Sequence, residues 1–228
     1  QDQAAKIQAE NLRRQTARES AKQKIEAHWA TSKQVLAESK VGEGGSIPFD
    51  HKVSVRRGEL LLLTVFPNDN HGADSTLVEW TIRETTGAQR SWNVNELISQ
   101  LLKGNPWSGE HNAAWSFLDT TSAPVFLTEN RDGISGVAAL KSWNLGSEPS
   151  VFVNDGDEEL KLWTTLPKKT FFVHPGHQRP VSVAWTSPID GELHVTGRVA
   201  DAHPAGLDGI AFELSHRAAS DLGQALAD

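Results

Sequence analysis

Cysteine, methionine and tyrosine are all missing from this chain. The lack of cysteine excludes disulfides, zinc–thiolate centres, iron–sulfur clusters and thiol nucleophiles. No apolar run approaches the roughly 18 residues that a membrane span needs, and the first residues do not follow the pattern of a signal peptide. Because a chain of this length would normally carry an initiator methionine, we expect the sequence to be a piece of a larger protein.

Basic residues are too few for a nucleic-acid or membrane-surface protein. The 228 residues contain 22 Lys and Arg against 29 Asp and Glu, which gives a formal net charge of −7. Duplex nucleic acid and anionic membranes both require a basic footprint, so neither is expected as the main partner. The length allows one or two domains with a proper core.

Residues 1–41 contain neither glycine nor proline and are rich in Ala, Gln, Lys, Arg and Glu, which favours helix. Ile25 and Trp29 lie four residues apart and begin a narrow apolar stripe that Leu36 roughly continues. Such a narrow stripe would not stabilise a long helix alone. The segment therefore predicts a helical, coiled-coil-like extension or a connector to another domain, and a plain solvated helix is the alternative. The glycines at 42, 44 and 45 are expected to end it.

Residues 42–216 have the pattern of a β module. Short alternating or apolar runs recur about every ten residues and predict strands, among them 160–166, 170–173, 181–185 and 191–199. The intervening turns contain Asn, Asp, Gly and Pro. One short internal helix is predicted over 93–103, with Asn93 and Glu96 as a capping box. Residues 217–228 return to helical composition, and Leu222, Ala225 and Leu226 predict packing of this tail on the first helix. The fold class expected is mainly β: an antiparallel β-sandwich of jelly-roll type with a long N-terminal and a short C-terminal helix.

Several phrases of the sequence resemble a module of large planctomycete proteins that join a cytochrome-c-like domain to planctomycete-specific domains of unknown function. The phrases are VRRGE at 55–59, NHGADST at 70–76, WN at 92–93, GNP at 104–106, WSF at 115–117, VHPG at 173–176, VAWTSP at 183–188, GRVADAHP at 197–204 and DGIAFEL at 208–214. The order of the two halves differs from the commoner form of the family. Two positions also depart from it, since Ala73 stands where the family often has Cys and Trp107 where it often has His.

The resemblance implies a sandwich fold, an extracytoplasmic setting (periplasmic or cell surface) and a multidomain parent with neighbouring cytochrome-like domains. It brings no catalytic residue to this chain. A carbohydrate-binding role would fit what the resemblance implies for bacteria that degrade polysaccharides.

The chain contains none of the common catalytic signatures, including Gly-x-Ser-x-Gly, the phosphate-binding loop and His-Glu-x-x-His. Scattered carboxylates that pair in space for hydrolysis remain a minor alternative. We therefore expect no enzyme and no resident cofactor. His174 and His177 flank a Pro-Gly turn, which fits solvated turn histidines better than a metal site.

Two loops rich in Asp and Asn offer oxygen ligands of the kind that calcium prefers. Turn chemistry explains the same residues more simply. The weak calcium candidates are Asp69, Asp74, Asp155 and Asp157.

The tryptophans fall into two groups. Trp80, Trp163 and Trp185 lie in predicted strands and are expected in the core. Trp107 and Trp143 lie in polar turns, where an indole either packs under its loop or meets a ligand. A sugar ring stacks on indole while amide and imidazole groups bond its hydroxyls. The candidate ligand residues are Asn105, Trp107, Glu110, His111, Asn112 and Trp143, with Trp107 as the stacking platform.

These observations predict a noncatalytic, carbohydrate-binding module of a larger extracytoplasmic protein, whose partner is a polysaccharide. The alternative is a structural or assembly module that positions neighbouring domains and binds no ligand.

Overall fold

The first helix ends earlier than the sequence predicts. In the computed structural model, which describes residues 2–219 except the side chains of residues 2, 4, 5 and 110, helix α1 spans Asp2–Thr31. After Ser32 the chain enters strand β1 (Lys33–Val41). The predicted helix over 1–41 is therefore wrong for its last ten residues, nine of which form β1. The composition of this segment favours helix by only tenths of a kcal/mol per residue, and by about 0.7 kcal/mol per residue at most. Pairing of β1 with the neighbouring strand outweighs that preference.

Strand β1 forms one edge of a seven-stranded antiparallel sheet, here called sheet I. The strands follow one another across sheet I as β1, β17 (Ile210–Arg217), β3 (Leu60–Pro67), β15 (Val181–Thr186), β7 (Ala114–Asp119) and β6 (Trp107–Ser108), with β8 (Val125–Phe126) also paired to β7.

An eight-stranded antiparallel sheet, sheet II, lies against sheet I. Its order is β2 (Ser46–Val55), β16 (Gly191–Asp201), β4 (Thr76–Glu84), β14 (Thr170–His174), β11 (Ser150–Asn154), β10 (Val137–Asn144) and β9 (Glu129–Ile134), with β5 (Ser91–Asn93) paired to β4. A small hairpin of β12 (Leu160–Lys161) and β13 (Thr165–Leu166) lies outside both sheets.

Aromatic pairs join the inner faces of the two sheets. Trp80 of sheet II meets Trp115 of sheet I edge to face, with ring centroids 5.5 Å apart. Phe171 and Phe117 make a second contact between the sheets at 6.2 Å. These rings belong to one large buried cluster that draws on both sheets. The chain is therefore mainly β with two packed antiparallel sheets, as the sequence predicts at this coarser level.

The two shorter helices that the sequence predicts have different outcomes. Asn93 and Glu96 form the predicted capping box, but they cap a 3-10 turn, Val94–Leu97, which a second turn, Leu101–Lys103, follows. The prediction of one helix over 93–103 is thus wrong, because the segment forms two separate 3-10 turns, each of which buries a leucine, Leu97 or Leu101. At the other end, Arg217 is the last residue of β17 and not the first of a helix. Residues 220–228, which include Leu222, Ala225 and Leu226, lie outside the described residues.

Candidate ligand-binding cleft

The outer face of sheet II carries a row of mainly apolar side chains beside a row of polar side chains. Across β10, β11 and β14, Ser142, Phe152 and Phe172 are register partners, and their side chains share this face. Two residues further along the same strands, Asn144, Ser150 and His174 form the next row. Such a surface offers both stacking area and hydrogen-bonding groups.

A loop that crosses this face covers the apolar row. Leu140, Phe152, Leu166 and Phe172 form a buried cluster of their own, separate from the core between the sheets. Leu166 comes from strand β13 of the small hairpin, so the hairpin is held down by apolar contacts. Its turn, residues 162–164, therefore stands at the rim of the polar row.

Trp163 lies in that turn and is 38% exposed. Its indole packs against the Phe152 ring in a T-shaped arrangement, with ring centroids 5.9 Å apart. Its Nε1 donates a hydrogen bond to Ser75 Oγ at 3.1 Å. The indole is thus fixed by two contacts while part of its surface remains open to solvent.

Between Trp163 and the polar row lies a cleft of about 260 Å³. Its polar lining comes from segments far apart in sequence: Ser75, Arg131, Asn144, Glu148, His174 and His203. A volume at the lower limit of small-molecule sites suits one or two ring-sized groups rather than an extended polymer enclosed on all sides.

Glu148 is the electrostatic centre of the cleft. Its carboxylate lies 3.4 Å from His174 Nε2 and 3.2 Å from His71 Nε2. The hydrogen bond from His174 and the charges of both imidazoles lower the pKa of Glu148 despite its partial burial. His174 Nδ1 lies 3.4 Å from Ser75 Oγ, which completes a chain from Glu148 to Trp163. Burial and the nearby His174 lower the pKa of His203, so neutral imidazole is favoured there.

The sequence predicts Trp163 in the core and Trp143 as a ligand residue, but Trp143 is the buried residue and Trp163 lies beside the cleft. Trp143 is only 8% exposed, and its Nε1 donates to Leu101 O at 2.6 Å. In β10 its neighbours Ser142 and Asn144 face the cleft, so Trp143 must face the core. The run 160–166, interpreted as one strand, is instead a hairpin whose turn exposes Trp163. Trp80 and Trp185 are buried as predicted.

The other predicted ligand residues lie together at a different edge, around β6. Asn105 holds the fold there, because its Nδ2 donates to Phe117 O and Leu127 O at 2.8 and 2.9 Å and its Oδ1 accepts from Phe117 N. The Trp107 indole is half-buried and packs on the main core. His111 and Asn112 are exposed in a tight turn with positive φ. Glu110 directly precedes His111 in the chain, and its side chain is outside the described ones.

Of the four calcium candidates, Asp155 has a clear structural role. Lys141 and Lys169 both contact its carboxylate, at 2.8 and 3.2 Å. Asp69 and Asp157 are exposed, whereas Asp74 is buried. Among residues 2–219, no group of three or more His, Asp or Glu side chains has an arrangement that would hold a metal ion.

Comparisons with known proteins do not assign the cleft. No protein-family model, no curated protein and no solved structure matches the chain, so none links it to a catalytic family. Within the described residues, no helix combines the length and the apolar character that crossing a bilayer requires.

Proposed function

We propose that this chain is a noncatalytic module that binds a glycan in the cleft beside Trp163. The observation that carries the proposal is the half-open indole of Trp163, fixed by Ser75 and Phe152, next to a row of polar side chains. Indole presents a rigid apolar face to the C–H groups of a sugar ring at small entropic cost. Asn144, Ser150 and His174 supply donors and acceptors for its hydroxyls.

The arrangement predicts weak, reversible binding. One stacking platform and a few hydrogen bonds give a dissociation constant of roughly micromolar to millimolar, or about −8 to −4 kcal/mol. The setting we propose follows the resemblance of the sequence: a jelly-roll module of a larger extracytoplasmic, planctomycete-like protein that contacts polysaccharide.

Affinity electrophoresis after a glycan-array screen tests this function. Trp163→Ala should abolish retention by the glycan that the wild type binds, and should lower the melting temperature by only a few degrees, because 38% of the residue is exposed. Leu162→Ala is the matched control, since Leu162 lies in the same turn and is 43% exposed. It should keep the retention. A Trp163→Ala protein that is retained like the wild type, or a wild type that no glycan retains, would refute the proposal.

A structural module is the second candidate, and one observation favours it. In the part of the chain that the structure describes, every residue of helix α1 from Lys6 to Lys24 is exposed. Such a helix is suited to setting the distance to a neighbouring cytochrome-like domain. Under this function the glycan screen is empty, and deleting two helical turns from α1 shortens the distance between domains of the parent protein by about 10 Å. X-ray scattering of the parent would measure that distance.

A further inference from the structure

Behind the cleft, two loops interlock around carboxylates. Asp74 follows the 3-10 turn His71–Ala73, and Asp208 follows the turn Pro204–Gly206. The backbone N–H of Asn70 donates to Asp208 Oδ2 at 2.7 Å, and Asn68 Nδ2 donates to Asp208 O at 2.8 Å. The Asp208 side chain therefore projects into the loop that leads to Asp74.

Gly206 shows how closely these loops approach each other. A Cβ atom built on Gly206 would lie 3.1 Å from Ala73 Cβ and 3.2 Å from Asp208 Oδ1. Ala73 Cβ and Asp208 Oδ1 therefore both lie close to the Cβ position of residue 206. Asp74 is the next residue after Ala73. Any larger residue at position 206 would push the loops apart.

Two carboxylate oxygens at this junction have no hydrogen-bond donor among residues 2–219. Asp74 is only 1% exposed, and its Oδ2 is buried and accepts no hydrogen bond from any described residue. Asp208 Oδ1 is likewise buried without a donor in the described part of the chain. By contrast, Asp201 nearby is satisfied, because its two oxygens accept from the backbone N–H groups of Gly44 and His203. A buried carboxylate oxygen without a partner is costly and rare in proteins.

The charges that act on Asp74 are all negative. Burial and the carboxylates of Asp208, Asp201 and Glu148 raise the pKa of Asp74 from 3.8 to about 7. No basic side chain among residues 2–219 is one of these influences. A bound cation would offset the repulsion among the carboxylates.

We propose that a divalent cation of the calcium class binds between the Asp74 and Asp208 carboxylates. The donor atoms on offer are oxygens only, which selects a hard cation over zinc or copper. Calcium accepts main-chain carbonyl oxygens and water as its remaining ligands, so two carboxylates are enough side chains. Bound there, the ion would link the 70–74 loop to the 204–208 loop and offset the repulsion among the carboxylates.

Thermal unfolding of the whole chain tests the site without any glycan. Calcium at a hundredfold excess over its dissociation constant should raise the melting temperature of the EDTA-treated protein by about 5–10 °C. Magnesium should raise it far less, because it accepts only near-octahedral sites. Calorimetric titration with calcium chloride should show one site per chain.

Two variants locate the ion. Asp74→Asn removes the charge from the buried position but keeps its shape, so the protein should fold and lose the calcium response. Asp69→Asn is the matched control, since Asp69 is exposed in the same loop, and it should keep the response. The proposal fails if calcium changes neither the melting temperature nor the calorimetric signal. In that case a proton on Asp74 relieves the repulsion. It also fails if Asp74→Asn retains the full response or if magnesium stabilises the protein as much as calcium.

Discussion

The guanidinium group of Arg217 lies 3.7 Å above the centre of the Trp29 indole, and its Nη1 donates to the backbone oxygen of Trp29 at 2.6 Å. Arg217 ends the strand β17, and Trp29 lies in the last turn of α1. The indole also packs on Leu62, Leu118 and Ala184 on the outer face of sheet I. A cation–π contact, a charged hydrogen bond and apolar burial therefore attach the helix to the sheet at one place.

Replacing Arg217 by Lys should loosen that attachment. Lysine keeps the charge but lacks the planar group that contacts the ring and the carbonyl together, so we expect a loss of about 1–2 kcal/mol in unfolding free energy. Urea unfolding followed by tryptophan fluorescence measures it. Arg14→Lys on the exposed part of α1 is the control and should change stability by less than about 0.5 kcal/mol. Equal effects of the two substitutions would contradict the anchoring role.

Position 197 requires glycine, because strand β16 passes close to the backbone of β4 and to the Phe49 ring there. A Cβ atom there would lie 2.2 Å from the backbone oxygen of Glu79 and 2.4 Å from Cζ of Phe49. Gly197→Ala should cost about 1–3 kcal/mol or more, since backbone and ring must both shift. Gly42→Ala is the control, because nothing lies within 4 Å of its Cβ position. Thermal melting of both proteins checks the prediction, and an unchanged Gly197→Ala protein would refute it.

Asn154 should stabilise the hairpin that places Trp163 beside the cleft. It is fully buried, and its Nδ2 lies 3.0–3.1 Å from the carbonyl oxygens of Glu158, Leu166 and Pro167. Asn154→Ala removes the donor that these three carbonyls share and should cost about 1–3 kcal/mol. It should also weaken glycan retention although Trp163 is intact, because the hairpin loses its support. Asn95→Ala, an exposed amide elsewhere, should affect neither. Hydrogen exchange at residues 155–169 would report the loosening.

The Glu84–Arg90 pair predicts a loss of stability in acid. The Arg90 side chain donates two hydrogen bonds of 3.0 Å to the Glu84 carboxylate, and together with the Arg90 backbone N–H it lowers the pKa of Glu84 from 4.5. A depressed carboxyl pKa contributes stability above the unfolded value, and this contribution disappears as the pH falls through the folded value. Unfolding free energy should therefore drop below about pH 4.5.

The variant Glu84→Gln isolates this pair. It should be less stable than the wild type at pH 7 and should show a smaller decrease toward pH 3, measured by urea unfolding at each pH. Glu79→Gln removes the carboxylate of the exposed pair with Arg198 and should change the pH dependence less, because solvent screens that pair. If the unfolding free energy of Glu84→Gln depended on pH as that of the wild type does, the pair would not be the cause of the stability loss in acid.

The sequence predicts strands well where apolar alternation and turn residues agree. β14, β15 and β16 begin at or next to their predicted first residues, and the Asn93 capping box was recognisable from spacing alone. β1 could not be predicted, because its residues favour helix and only the partner strand β17 makes them a strand. Local propensity is too weak to decide such a segment.

The cleft was not predictable for a different reason. Whether Trp143 or its neighbours face outward depends on strand register, and a shift of one residue reverses every side chain. Ser75, Glu148 and His203 meet in space although more than fifty residues separate each from the next. A single sequence carries no pattern that connects them. For Trp163 the signal in the sequence is the set of charged residues around its short apolar run.

The attachment of α1 at its last turn has a consequence for how the molecule rotates in solution. The helix has 30 residues and is therefore about 45 Å long, and Ser32 alone connects it to the edge strand β1. A rod of this length held at one end makes end-over-end tumbling slower than rotation about the rod. Time-resolved fluorescence anisotropy of a dye at Gln89→Cys in the β4–β5 turn should accordingly decay with two correlation times, and deletion of residues 6–24 should remove the slower one.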